Sequence, residues 1–115
     1  MDKEEEQKSI RNEFYDNVNM APKELEEWLK TEESKSVGQD SGSGESIGHK
    51  SGKKIIDIKN KNKDELTKSD YEHMKKVNSY VSRHTAQGPS SDKKESPWRY
   101  SLMNWGHDPC KNGGC

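Results

Sequence analysis

Six consecutive residues, His49-Lys50-Ser51-Gly52-Lys53-Lys54, set four basic or titratable side chains around a small Ser-Gly pair. A serine and glycine that open a helix present backbone N–H groups at the positive end of its dipole, a setting that suits a phosphate. His49, Lys50, Lys53 and Lys54 would then surround the anion. A second set follows on a periodic stretch, where Lys76, Tyr80, Arg83 and His84 fall on one face, and Arg99 lies further on. Seventeen of the twenty basic residues are lysine. That bias favours backbone-phosphate contact with weak sequence preference over base reading, which draws on bidentate arginine.

Three motifs point towards catalysis or metal and fail on context. Gly44-Glu45-Ser46-Ile47-Gly48 matches G-x-S-x-G, but a nucleophile elbow needs a strand before it and a large α/β sheet behind it. Gly48 to Lys54 is one residue short of a phosphate loop, with no Ser or Thr after Lys54 and no apolar strand ahead. His107, Cys110 and Cys115 can supply three zinc ligands, with His49, His73 or His84 as a fourth, but one triplet without a second cysteine pair is weak. DPCKNGGC also resembles the start of an epidermal-growth-factor repeat, and four further cysteines are missing. No catalytic residue, cofactor or metal is expected. The sequence reads as a non-enzyme.

Only 25% of the 115 residues are hydrophobic, 36% are charged, and the formal net charge is −1. That length holds one domain at most. The charge is divided along the chain. Residues 1–36 carry six Lys and Arg against eleven Asp and Glu, whereas residues 49–99 carry thirteen against seven. An acidic front and basic middle imply internal attraction or a polyanion partner for the middle. No window reaches the roughly 20 apolar residues of a membrane span, and MDKEEEQKS is acidic where a signal peptide starts basic. The expectation is an intracellular protein, nuclear or cytoplasmic, with no membrane contact.

The elements that must position these residues are helical. Ile10, Phe14 and Val18 lie at i, i+4 and i+8, the stripe of an acidic first helix over 1–18 that frays at its start. Pro22, followed by Leu25, Trp28 and Leu29, predicts a second helix over about 22–33. Residues 34–48, rich in Gly and Ser, read as a mobile loop. Ser51 then caps a helix that carries Ile55 and Ile58, with a short strand at IIDI as the alternative.

Thr67 and Asp70 form a capping box for a helix over 67–87, which Gly88 and Pro89 end. Its packing face carries Tyr71, Met74, Val77, Val81 and Thr85; its polar face carries His73, Lys76, Tyr80, Arg83, His84 and Gln87. Ser96, Pro97 and Gly106 bound a last helix in which Trp98, Leu102 and Trp105 form a narrow core stripe, leaving Arg99, Tyr100 and Met103 for contact. The fold class is all-α: four or five short helices, a single small domain over 19–109, and a flexible 110–115 tail with free thiols.

Four segments, SVGQ at Ser36–Gln39, GESIGHKSGKKI at Gly44–Ile55, HMKKV at His73–Val77 and WRYSLMNWGHDP at Trp98–Pro109, resemble in order and spacing a small fungal and bacterial family, domain-of-unknown-function family 3140. Members are often labelled DNA-binding protein, so the resemblance implies DNA association. This chain has Lys53 and Lys54 where the family pattern has paired arginines, which keeps charge and loses bidentate geometry. Thr85 and Gly88 replace an apolar residue and an arginine.

Residues and resemblance together lead to a non-catalytic, DNA-associated protein. Its phosphate contacts are His49, Lys50, Ser51, Gly52, Lys53 and Lys54 at a helix start, with Lys76, Tyr80, Arg83, His84 and Arg99. The competing reading is a protein–protein module, homodimeric or with another partner, that uses the aromatic last helix or the acidic first helices.

Overall fold

The structure, a computed structural model, describes residues 3–37, 47–89 and 93–111. Among them are six α-helices and no strand: α1 Lys3–Asn17, α2 Pro22–Leu29, α3 Glu32–Ser36, α4 Ile47–Lys59, α5 Lys68–Thr85 and α6 Pro97–Asn104. Short 3-10 turns at Lys63–Glu65 and Lys93–Glu95 precede α5 and α6. The α1 helix packs along α5 and α2 along α4, while α6 touches α2, α3, α4 and α5.

The apolar stripes meet in one cluster. Phe14 and Val18 from α1 and its end join Leu25 and Leu29 from α2, Ile55 and Ile58 from α4, and Met74, Val77 and Val81 from α5. IIDI is therefore helical, and its isoleucines point inward as a helical period requires. Leu102 and Trp105 are buried as the narrow stripe predicts, with Trp98 half-buried. Gly88 leaves room for Trp98, since a Cβ there would lie 2.8 Å from Cζ2.

The caps at α5 and α6 match the sequence. Thr67 Oγ1 accepts from the Asp70 N–H at 3.1 Å and the Asp70 carboxylate accepts from the Thr67 N–H at 3.0 Å. Ser96 accepts from the Arg99 N–H at 3.2 Å, and Gly106 ends the last helix at φ +80°, where a side chain would be strained.

Several boundaries differ from expectation. The helix expected over 22–33 is two helices, because the Thr31 hydroxyl accepts from the Ser34 N–H and starts a new one. That split raises the count to six. The expected loop is shorter than 34–48: Ser34 to Ser36 belong to α3, and Ile47 and Gly48 already belong to α4. Residues 38–46 lie outside the described residues.

The α4 helix therefore begins four residues before Ser51, the expected cap. Thr85 is exposed and turns its hydroxyl onto the Val81 carbonyl at 2.8 Å, and Met103, expected outside, is buried. Cys110 is disulfide-bonded, which corrects the free-thiol expectation; the backbone turns back there, with the Cys110 N–H donating to Asp108 Oδ1 at 2.9 Å. Residues 112–115 lie outside the described residues. No described helix is long and apolar enough to cross a membrane.

Candidate functional site

The position of α4 decides what the HKSGKK stretch can do. Only about four N–H groups at a helix start lack an intrahelical acceptor. With α4 starting at Ile47, Ser51 and Gly52 lie past that turn, inside the helix and buried. The expected N–H cradle at Ser51-Gly52 is thus corrected. Gly52 has a packing reason instead: a Cβ there would lie 2.7 Å from the Asn104 carbonyl oxygen and 2.9 Å from Leu29 Cδ2. His49 donates through Nε2 to the Leu29 carbonyl at 2.6 Å, which ties α4 to α2.

The side chains make a different site. Lys50, Ser51 and Lys54 line one wall of a cleft of about 560 Å³ between α4 and α5. Ser69, Glu72, His73 and Lys76 of α5 line the other, and Trp105 closes the end. Three lysines against one glutamate give the cleft a positive formal charge. Of the sequence candidates, Lys50, Ser51, Lys54 and Lys76 are brought together here, whereas Lys53 is exposed on α4 outside the lining.

Lys54 is held in place by a carboxylate buried under the cleft. Asp70, fully buried, pairs with Lys54 Nζ at 2.8 Å and with Lys61 Nζ at 2.9 Å. Burial alone would raise its pKa, but hydrogen bonds from Lys54, Lys61 and the Thr67 N–H together hold the carboxyl well below the usual carboxylate range. Lys61 is pushed up by the same Asp70 contact. Lys61 also pairs with Asp57 Oδ2 at 3.4 Å, so two lysines and two carboxylates balance beside the opening.

His73 was absent from the sequence-selected set. Its Nε2 lies 3.0 Å from Ser51 Oγ, and its ring lies parallel to Trp105 with centroids 6.3 Å apart. Burial lowers its pKa, Lys76 and Lys54 lower it further, and Ser51 and Asp70 oppose them. The ring is therefore neutral at neutral pH. Sequence periodicity had put His73 on the polar face of the α5 stretch, which was the available signal, but nothing local distinguished it from His84.

The remaining candidates lie elsewhere. Tyr80 stacks on Trp105 at 4.2 Å and on His84 at 5.0 Å, so the upper half of the expected polar face is covered. The His84 carbonyl accepts from Trp98 Nε1 at 2.7 Å. Arg83 is exposed, about two turns beyond Lys76, the last α5 residue of the cleft. Arg99 grips Asp108 with two hydrogen bonds of 3.1 Å and donates to the Lys94 carbonyl at 2.8 Å, so its guanidinium is taken up within the fold.

Asn104 was not anticipated at all. It is buried, accepts from Trp28 Nε1 and Ser34 Oγ, and donates to the Ser34 carbonyl, locking α6 to α2 and α3. Among the described residues no group of three His, Cys, Asp or Glu side chains is arranged to hold a metal ion. His107 Nδ1 donates to the Asn17 carbonyl at 2.6 Å.

Comparison with curated proteins and with solved structures yields no match. The family model described as "Protein of unknown function (DUF3140)" matches residues 13–103, from the end of α1 through nearly all of α6, and the chain belongs to that family.

Proposed function

We propose that this chain is a non-catalytic, DNA-associated protein that contacts backbone phosphates through the α4–α5 cleft. The observation that carries this reading is the convergence of Lys50 and Lys54 from one helix and Lys76 from another on a single concave surface. Cationic side chains on two walls of a cleft focus potential into it and raise the local concentration of an anion. Lys53 and Arg83, both exposed on the same two helices, extend the basic surface beyond the cleft. The lysine-rich set fits contact with phosphates that carry no base information.

The protein–protein alternative draws less support from the surface. Among the described residues Tyr15 is the one large hydrophobic side chain that is exposed, at 43%. Aromatic residues that could have served as a docking face, Trp105 and Tyr80, are stacked inside. An apolar interface core has little to build on.

Anisotropy titration of a labelled short duplex tests the reading. Binding should weaken steeply between about 50 and about 200 mM salt, with a log–log slope near −0.9 per phosphate engaged. Absence of binding at the lower salt, with the protein folded, would refute it.

A further inference from the structure

The neutral His73 ring inside a lysine-lined cleft is the feature that phosphate contact alone leaves unexplained. We propose, building on the phosphate reading above, that His73 is itself an anion ligand of the cleft and takes up one proton from solvent when a phosphate enters. The reason is electrostatic and geometric. On α4 the ring faces Lys50, Ser51 and Lys54, on its own helix Asp70, Glu72 and Lys76, and beyond the last helix Trp105. Lys54 and Lys76 both act against a charged ring, and Asp70, the carboxylate that favours one, is already engaged by Lys54 and Lys61. A bound oxyanion reverses that balance, and the protonated ring becomes the favoured form.

The hydrogen bond to Ser51 gives the proton a second effect. A neutral imidazole meets the Ser51 hydroxyl in either sense, as acceptor or as donor, depending on its tautomer. A protonated imidazole can only donate. Ser51 Oγ then accepts from Nε2, and the hydroxyl hydrogen is released to point at the bound anion. One proton taken from solvent thus supplies both a charge and an oriented donor.

Proton uptake makes affinity depend on pH in a defined direction. Anion binding should strengthen as pH falls through the histidine range, by at most about tenfold per pH unit for one linked proton. The probe is sulfate, an oxyanion whose own charge stays constant between about pH 5.5 and about pH 7.5, the interval that brackets an ordinary histidine. The full chain is titrated with sulfate against chloride at matched ionic strength while the histidine ring resonances are followed by NMR. A 12-base-pair duplex is then displaced by sulfate in a parallel assay.

The expected result is a raised midpoint for His73 in sulfate, an unchanged one for His84, which lies outside the cleft lining, and sulfate affinity that rises several-fold from the upper to the lower pH. His73→Gln, which keeps a polar partner for Ser51, should bind sulfate with no such rise. If sulfate displaces the duplex while the wild-type His73 midpoint stays the same in both salts, the proton-uptake proposal is overturned and the phosphate reading stands. If neither sulfate nor duplex perturbs the cleft at any pH, both are overturned.

Discussion

Two grooves flank α5 and share Glu72, and they differ in how closely carboxylates match the cations of their walls. The larger, about 860 Å³, lies against α1, and its wall interleaves five cations, Lys3, Arg11, Lys63, Lys68 and Lys75, with four carboxylates, Glu4, Glu6, Asp64 and Glu72. The smaller, against α4, is lined by Lys50, Lys54 and Lys76 with Glu72 as its one lining carboxylate, and Asp70 is buried behind Lys54. Adjacent residues even separate across the helix, with Lys75 in one groove and Lys76 in the other. A count of lysines along the chain sees one basic segment. The fold divides it into a side where carboxylates nearly match the cations and a side whose lining cations outnumber its lining carboxylate, and the proposed function places the polyanion on the latter.

The largest way to break the comparison is to push α4 out of place. Gly52→Ala puts a methyl against the Asn104 carbonyl and Leu29, and should cost about 3 kcal/mol by overpacking. Chemical denaturation reads it, and loss of the fold should take duplex binding with it.

Next in size, Asp70→Asn removes the carboxylate that holds Lys54 at the wall. Breaking a fully buried pair costs about 3–5 kcal/mol, but both lysine partners face solvent here, so about 2 kcal/mol is expected. Acid should act through the same group. Asp70 and Asp108 are both held below the ordinary carboxylate value, so their stabilisation is fully present above about pH 4 and is lost as pH falls through their folded values. Melting temperature followed down to about pH 2 should fall less steeply in Asp70→Asn than in the parent.

The smallest effects separate the two grooves most cleanly. Lys76→Gln should leave stability within about 0.5 kcal/mol, weaken duplex binding about fivefold, and lower the salt slope by about one. Lys75→Gln, one residue away, should leave both affinity and slope unchanged. Equal losses in the two variants would show that binding follows overall charge and not the cleft.

How much of this was legible in the sequence follows from the range of each interaction. The caps at Thr67 and Ser96, the proline at Pro22 and the glycine at Gly106 act within three or four residues, and each sits where its residue type places it. The start of α4 carries no such mark. Ser51-Gly52 looked like an opening only because small residues also suit caps, whereas here they are small to let α6 and Leu29 approach.

Asp70 was readable as a cap, and its second role was not. Lys54 and Lys61 reach it from the preceding helix and its end, a tertiary fact that no local pattern encodes. The ion pair of Arg99 was hidden for the same reason, since Asp108 meets it only after the chain turns back at Gly106. Polar residues with long-range partners, Asn104 above all, were the ones sequence periodicity misjudged or passed over.

The most direct test of the central claim is amide and lysine side-chain NMR of the protein titrated with a short duplex at low salt. The account predicts that shifts concentrate on Lys50–Lys54 and on Ser69–Lys76, fade together as salt is raised, and leave the α1 side of α5, around Arg11 and Lys63, unmoved. Shifts centred on that α1 groove, or on the Arg99–Lys111 end, would contradict it.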